Sequence, residues 1–298
     1  MSAREEWLAA RRQGIGGSDV AGILGLSKWK TPLEIYQDKI GEGVETPDNE
    51  SMLWGRALEP VIRQQYADRT GRVVLQPAEI LHHPKHPFML ANLDGYTQDS
   101  RVLEIKTARS AQGWGEPGGD EIPQEYLLQV QHYMAVTTFP VADVAVLISG
   151  SDFRLYEIAA DTELQEMLIE AEAEFWRRVE SRTPPEPVSY ADMKARFGRQ
   201  SKDGIVEATP EVLAAVEKLR DVKAKLKLLE STQEDCEAII MGALRESDTL
   251  THKGATVATW KASKPVQRFD SKALQAANPD LYTQFLKIGE PSRRLILK

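Results

Sequence analysis

The spacing of hydrophobic residues divides the chain into three regions. Up to about residue 70 they recur at helical spacing, and a long helix is predicted from about residue 51 to residue 70, with Gly71 as its stop. From about residue 73 to residue 158, short apolar runs predict β-strands. Two of these runs, 88–96 and 102–106, have the pattern of a hairpin joined across residues 97–100. From residue 212 onward the helical spacing returns.

The order of the predicted elements indicates an α/β domain. A helix predicted from Pro123 to Thr137 separates the hairpin from two further apolar strands, and a helix that begins at Asp161 follows them. Helices that precede, interrupt and follow a few strands are typical of a small mixed sheet flanked by helices. The proline-rich run at 183–187 is the clearest linker signal. We therefore predict a domain over residues 1–188 and a linker over 189–208.

Residues 209–298 are predicted to form a mainly helical extension with a small β part. Residues recur there at alternating intervals of three and four, which is the pattern of a heptad seam. The seam consists of Val212, Ala215, Leu219, Val222, Leu226, Leu229, Gln233, Cys236, Ile240 and Ala243. One continuous helix of about 50 Å and a helical hairpin that turns near residues 231–232 both fit this pattern. Short strands are predicted at 255–260 and 294–297, on either side of a short helix.

Composition narrows the class of protein. The chain has 298 residues, of which 42% are hydrophobic and 28% charged, so it can bury a core and is not broadly disordered. Its single cysteine excludes an internal disulfide framework and fits a reducing cytoplasm, where we expect the protein to act. No apolar run approaches ~18 residues, so no membrane span is expected. The net charge of −8 argues mildly against a bulk nucleic-acid coat, although a channel can still be locally basic.

A group of charged residues on the predicted hairpin is the sharpest chemical signal. Glu104 and Lys106 are two residues apart and so share one face of their strand, while Asp94 lies on the preceding arm, which a short turn can bring opposite. Two carboxylates in a buried place repel each other unless something positive lies between them. Hard oxygen ligands of this kind suit Mg²⁺ or Mn²⁺, and such an ion can activate water and stabilise charge on phosphate.

Taken alone, this short pattern also fits an exposed hairpin with a surface ion pair. The apolar neighbours Leu103 and Ile105 favour a central strand instead, and charged side chains on a central strand require a structural or functional explanation. Two further polar side chains lie among apolar residues of predicted helices. Gln129 is one, and Glu59 is the other, beside Pro60, which is expected to kink or break its helix.

A glycine-rich turn near the start of the chain suggests anion binding. Gly16 and Gly17 let backbone N–H groups approach an anion, and a helix capped by Ser18 or Asp19 adds the positive end of its dipole. An ordinary glycine turn with a serine cap is the alternative. The turn is not a phosphate-binding Walker A loop, because no Gly-Lys-Ser/Thr follows, and Asp19 occupies the position of the third glycine of a dinucleotide fingerprint.

Together, four stretches resemble the phage lambda exonuclease and YqaJ-like viral recombinase family of the PD-(D/E)XK nuclease superfamily. They are the stretch 12–19, the helix segment 55–59, Asp94 with 104–106, and the helix segment 126–131. The resemblance covers about residues 4–182 and departs from the superfamily motif at Leu93, where proline is usual. It implies a restriction-endonuclease-like core with a small mixed sheet flanked by helices.

The resemblance also implies roles for the charged residues. Asp94 and Glu104 match the residues that hold a metal ion, Mg²⁺ with Mn²⁺ as a substitute, and the backbone carbonyl of Ile105 completes that set. Glu59 matches a helix glutamate that holds a second ion or a metal-bound water. Lys106 matches the catalytic lysine. The helix glutamine of the family's active site is matched by Gln129, with Tyr126 nearby.

The N-terminal stretch and one loop are the expected contacts with DNA. Arg12 and Ser18 match residues near the 5′-phosphate of the substrate strand, and Gly17 lies between them. Arg109 and Trp114 belong to a long loop predicted over residues 107–122, which we expect to meet a DNA end as it orders.

The resulting functional hypothesis is a Mg²⁺-dependent exonuclease of phage recombination type. It would degrade one strand of duplex DNA from the 5′ end and leave a 3′ overhang for a single-strand annealing protein. A homo-oligomer, such as a trimer-like ring, would explain processivity. Two alternatives remain open: an end-independent endonuclease on the same fold, and a non-catalytic DNA-binding or scaffold subunit.

Overall fold

The chain folds into two compact units. A computed structural model describes residues 9–43, 47–199, 204–265, 267, 269–287, 289 and 292–297. The first unit is Met1–Arg196 and the second is Phe197–Lys298. No helix within these described ranges is long and apolar enough to cross a membrane.

The first unit is built on a mixed five-stranded sheet. Its strands lie in the order β2-β5-β6-β7-β8, with β6 and β7 parallel and the other neighbours antiparallel. A second, smaller sheet has the order β1-β4-β3. The strands are β1 Ile15–Gly16, β2 Val74–Leu75, β3 Leu81–His82, β4 Met89–Ala91, β5 Gly95–Thr97, β6 Arg101–Ala108, β7 Val141–Ile148 and β8 Asp152–Ala159. The helices are α1 Gly17–Ile23, α2 Pro32–Lys39, α3 Glu50–Thr70, α4 Gln124–Thr137, α5 Thr162–Glu180 and α6 Tyr190–Phe197.

Helices cover both faces of the five-stranded sheet, and alternation along β6 explains how. Val102 belongs to the core under α4, which contributes Val130 and Met134. Leu103 and Ile105 belong to the opposite core, under α3. Because side chains alternate along a strand, the even-numbered positions of β6 face α4 and the odd-numbered ones face α3. The α/β class with a small mixed sheet between helices is therefore confirmed.

Local structure differs from the sequence expectation at two places in this unit. The predicted strand 88–96 is divided, because β4 joins the smaller sheet whereas β5 pairs with β6. Residues 92–94, where the chain passes from one sheet to the other, are left outside both strands. The second difference is in α3, which continues through Pro60 without ending, since its later turns are anchored on the sheet by buried Ile62 and Tyr66.

A helix lies in the segment from which a linker was predicted. Within α6, the buried Asp192 accepts a hydrogen bond from Thr31 Oγ1 at 2.7 Å. The same carboxylate accepts the backbone N–H groups of Val188 and Ser189, both at 3.1 Å. These bonds tie the residues that follow the prolines to the start of α2.

The second unit contains one long helix, and the hairpin alternative is not adopted. Helix α7, Pro210–Leu244, is continuous over 35 residues, with Thr209 as its cap and a proline in its first turn. Strands β9 Thr249–His252 and β10 Ala255–Thr259 pair antiparallel, and helices α8 Ser271–Ala277 and α9 Pro279–Gln284 follow. The strand predicted at 294–297 is not formed.

Candidate active site

The two carboxylates of the predicted hairpin come from facing positions, Glu104 on the central strand β6 and Asp94 just before β5. In the antiparallel pairing of β5 with β6, Gly95 lies opposite Leu103, so the same register places Asp94 opposite Glu104. Asp94 has left the strand, and its carboxylate replaces the missing ladder partner: the Ile105 N–H donates to Asp94 Oδ2 at 2.7 Å. The break in the predicted strand 88–96 therefore allows the Asp94 side chain to point into the site.

Lys106 and Gln129 complete a closed polar cluster around Glu104. Lys106 Nζ lies 2.6 Å from Glu104 Oε1 and donates to Gln129 Oε1 at 3.0 Å. Gln129 Nε2 donates to the same Glu104 oxygen at 2.8 Å. The Lys106 ammonium also lies 4.6 Å from the centre of the Tyr126 ring, over its face. The structure thus brings together the predicted residues 94, 104, 106 and 129, with Tyr126 beside them.

The electrostatics of this cluster are those of a site with surplus negative charge. Burial, followed by the nearby Glu104 carboxylate, raises the pKa of Asp94 to about 8. Burial alone would lower the pKa of Lys106, but the Glu104 and Asp94 carboxylates outweigh it and raise that pKa, so the ammonium remains charged. The lysine therefore balances only part of the charge that both carboxyl groups would carry when ionised.

One buried atom of the cluster fits a bound cation. Glu104 is only 2% exposed, and its Oε2 atom is buried without a hydrogen-bond partner among the described residues. Such an atom carries the full cost of desolvation unless something binds it. Oxygen donors from Asp94, Glu104 and the Ile105 backbone are the hard ligands that Mg²⁺ and Mn²⁺ prefer. In the described parts of the chain, no three His, Cys, Asp or Glu side chains are grouped for metal binding, so a cation here would rely on two carboxylates, a carbonyl and water.

Glu59 lies on the wall of the same cleft but is occupied by an ion pair. It faces Arg63, one turn further along α3, and Arg63 Nε also donates to the backbone carbonyl of Asp94 at 3.0 Å. Arg63 therefore connects the helix glutamate to the segment that carries Asp94. Its position four residues after Glu59 is the signal in the sequence that could have revealed it.

Arg11, rather than Arg12, faces the cleft from the N-terminal turn. Arg11 Nη2 donates to Ser18 Oγ at 2.9 Å, and both residues line the cleft with Gly16. Arg12 instead lies 3.5 Å from Asp38 and is not part of the lining. The expected role of Arg12 near the 5′-phosphate stays a prediction, and of the two adjacent arginines the fold turns Arg11 toward the cleft.

A buried ion pair fixes this turn. Lys39 Nζ lies 2.6 Å from Asp19 Oδ2 and donates to the backbone carbonyl of Arg11 at 3.1 Å. Asp19, the third residue of α1, also accepts the Gly16 N–H at 3.1 Å. The residue that caps α1 is therefore Gly16, whereas Ser18 or Asp19 was expected.

Gly17 serves close packing rather than the lining of the cleft. A Cβ atom at this position would lie 2.6 Å from Tyr133 Cε1 and 3.0 Å from Gln129 Cγ. We expect Gly17→Ala to lower the free energy of unfolding by about 2–3 kcal/mol, because the methyl group overpacks the site. At Gly16 the nearest atom would be 3.8 Å away, so Gly16→Ala should cost less than about 1 kcal/mol. Denaturant unfolding of the two variants measures the difference, and equal losses would contradict it.

The loop after β6 places Arg109 at the site and Trp114 away from it. Arg109 Nη2 donates to Ser51 Oγ at 2.8 Å, which brings it to the start of α3, where Ser51 lines the cleft. Trp114 is only 8% exposed and packs 5.6 Å from Tyr126 and 5.3 Å from Tyr156, measured between ring centres. The expectation that Trp114 meets a DNA end is wrong, because its ring fills the core beneath the loop.

The carboxylate cluster, Glu59, Arg11 and Ser18 open onto one cleft of about 620 Å³. Its floor is the carboxylate cluster, and its walls are the N-terminal turn and the first turns of α3, which add Met52 and Arg56. The cleft is open to solvent on one side and combines a negative floor with arginines on its walls. This arrangement suits a phosphate-containing chain that approaches a bound cation.

Comparison with known proteins identifies the family. The sequence profile of the YqaJ-like viral recombinase domain matches residues 6–140. The Bacillus subtilis (strain 168) protein YqaJ is 34% identical over 296 residues, which cover 96% of this chain and 91% of that protein. The alkaline exonuclease LHK-Exo from Laribacter hongkongensis has a similar fold, with a TM-score of 0.51 and 24% identity over 60% of this chain and 94% of its own. The predicted exonuclease-like core is thereby confirmed as a fold, and the chain belongs to the YqaJ-like viral recombinase family.

Proposed function

We propose that this protein is a metal-dependent deoxyribonuclease that hydrolyses phosphodiester bonds in the cleft. The observation that carries the proposal is the buried, unpartnered Oε2 of Glu104 beside Asp94 and Lys106. Buried polar groups are nearly always hydrogen-bonded, and this unpartnered oxygen lies beside a second carboxylate and an ammonium group, where a cation would find oxygen ligands. Membership of a viral recombinase family supports an action on DNA.

Asp94, Glu104 and the Ile105 carbonyl would hold a Mg²⁺ or Mn²⁺ ion, and Glu59 would hold a second ion only by exchanging its ion pair with Arg63 for the metal. When bound, the ion supplies Lewis-acid charge at the phosphate and lowers the pKa of a water molecule. Lys106 presents its charge at the same place, where it can donate to a phosphate oxygen as negative charge develops. Gln129 fixes the orientation of both Lys106 and Glu104.

The walls of the cleft favour an exonuclease that engages a 5′ end. The Arg11 guanidinium and the Ser18 hydroxyl provide charge-assisted donors for a terminal phosphate. LHK-Exo, which shares the fold, is named an alkaline exonuclease and has been solved with dAMP. The products would be 3′ overhangs for a single-strand annealing protein, and a trimer-like ring of this chain would make digestion processive.

The first test is the removal of the lysine. Lys106→Ala should abolish Mg²⁺-dependent cleavage while duplex DNA still binds, because the arginines on the walls remain. Removing one charged donor from a transition state costs about 10²–10³-fold in rate. Lys85→Ala, at an exposed position of a turn, is the matched control and should cleave like the wild type. Cleavage by Lys106→Ala at the wild-type rate would overturn its assigned role.

A timed digestion of end-labelled duplex DNA tests the activity itself. With Mg²⁺ we expect loss of the 5′ label first and a growing 3′ overhang, and with a chelator no product. A substrate with a 5′-phosphate should be digested faster than one with a 5′-hydroxyl, through Arg11 and Ser18. Rapid loss of covalently closed circular DNA would instead support the endonuclease alternative. Absence of cleavage on any DNA with Mg²⁺ or Mn²⁺ would support the scaffold alternative.

A further inference from the structure

The seam of α7 is an apolar surface that the described parts of the chain leave uncovered. Leu226 is 53% exposed and Leu229 is 64% exposed, although both lie in the middle of a 35-residue helix. Val212, Val222 and Ile240, at the outer layers of the same seam, are also exposed. An isolated helix with such a stripe gains most of its stability from a partner helix. The fold of LHK-Exo covers only 60% of this chain, so the seam needs an explanation of its own.

The sizes of the seam residues favour a second copy of the same helix in the antiparallel direction. In a parallel pair each residue meets itself, so Ala215 and Ala243 form narrow layers while Leu219 and Leu226 form wide ones. In an antiparallel pair centred between residues 226 and 229, small residues meet larger ones, which gives the even packing that helix interfaces need. The layers are Val212 with Ala243, Ala215 with Ile240, Leu219 with Cys236, Val222 with Gln233, and Leu226 with Leu229, each occurring twice.

The charges that flank the seam favour the same direction. In the antiparallel pair Lys223 of each copy lies beside Glu230 of the other, and no like charges meet. In the parallel pair Lys223 lies beside Lys218 of the other copy, a repulsion that occurs twice and offsets the attraction between Lys225 and Glu230. In a parallel pair the two Gln233 amides would lie opposite each other, which counts in favour of the parallel direction. The antiparallel direction is therefore chosen on packing volume and flanking charge taken together.

We propose that α7 pairs two copies of this chain through an antiparallel coiled coil, with the axis of symmetry between Leu226 and Leu229. The pairing is separate from the cleft and does not depend on the nuclease proposal. It links two copies of the chain through their C-terminal units.

The single native cysteine allows a direct test of direction by disulfide cross-linking of the full chain. In the antiparallel pair the two Cys236 residues are about 25 Å apart, at 1.5 Å per residue, far beyond the reach of a disulfide. The wild type should therefore form no cross-linked dimer on oxidation. Leu219→Cys places a thiol opposite Cys236 of the other copy, so this variant should form one. Leu228→Cys, which lies off the seam, is the control and should behave like the wild type.

A second variant pair keeps the proposal testable if oxidation is slow. Leu226→Lys puts a charge into the central layer, and Leu228→Lys puts the same charge on the solvent face of the same turn. Sedimentation of the full chain should show that Leu226→Lys halves the particle mass and that Leu228→Lys leaves it unchanged. Cross-linking of the wild type through Cys236 would overturn the direction. Equal masses for wild type and Leu226→Lys would show that the seam does not bind a second copy.

Discussion

Asp94→Asn is expected to abolish metal-dependent cleavage without destabilising the protein. The asparagine side chain has the same shape and can still accept the Ile105 N–H, so the loop keeps its geometry. It loses the charge that would hold a cation beside Glu104. A metal ion contributes several kcal/mol to phosphate hydrolysis, so at about 1.4 kcal/mol per tenfold the rate should fall by roughly 10³-fold or more.

The melting temperature of Asp94→Asn in a chelator should equal or exceed that of the wild type. Asp94 is desolvated and lies close to the Glu104 carboxylate, and both effects disfavour its charge in the folded state. With a pKa of about 8, the Asp94 carboxyl must take up a proton on folding at neutral pH, whereas asparagine is neutral without that cost. This inverse relation between activity and stability is typical of residues kept for function. A variant that both cleaves DNA normally and melts lower would contradict a metal-binding role for Asp94.

Asp143→Asn is expected to give the opposite result, with a large loss of stability and little loss of cleavage. Asp143 is also buried, one strand away on β7, but its charge is fully paired. Arg101 donates to its two oxygens at 2.8 and 2.7 Å, and Tyr66 donates from α3. Breaking a buried pair by removing one partner costs about 3–5 kcal/mol. In a chain of this size that lowers the melting temperature by roughly 6–15 °C.

The comparison between the two variants separates function from folding. Both replace an aspartate by its isosteric amide, one just before β5 and one on β7, so differences between them mainly reflect the partners of the carboxylate. Thermal melting and a cleavage assay below the melting temperature of Asp143→Asn measure both properties. A loss of cleavage in the folded Asp143→Asn variant, or a wild-type melting temperature, would contradict the structural role of the Arg101 pair.

Residues that are close in the sequence were the ones whose grouping could be predicted from it. The alternation of a strand put Glu104 and Lys106 on one face, and a short turn brought Asp94 opposite them. Both relations depend on geometry that any hairpin shares. The continuous helix α7 was one of two arrangements that the heptad pattern allowed, and its seam needed no tertiary information.

The direction of side chains that depends on distant packing could not be predicted from the sequence. Arg11 and Arg12 are adjacent in the sequence. Arg11 faces the cleft because Lys39 of α2 holds the N-terminal turn, through its ion pair with Asp19 and its hydrogen bond to the Arg11 carbonyl. Trp114 was expected at the DNA, yet the aromatic rings of α4 and β8 draw it into the core. Arg63 was overlooked, because its contact with the Asp94 carbonyl joins residues that are 31 positions apart.

The sequence alone determined the class of the fold, the carboxylates and the lysine, and the stripe along α7, since each is a local pattern of hydrophobic and charged positions. Only the tertiary structure decided that Asp94 leaves its strand and replaces a backbone partner, that Gln129 from helix α4 joins Glu104 to Lys106, and that one oxygen of Glu104 stays without a partner among the described residues. The physical reason is that side-chain periodicity is set by the backbone of one element. The balance of charge and desolvation in a buried site is set by all the elements that meet there.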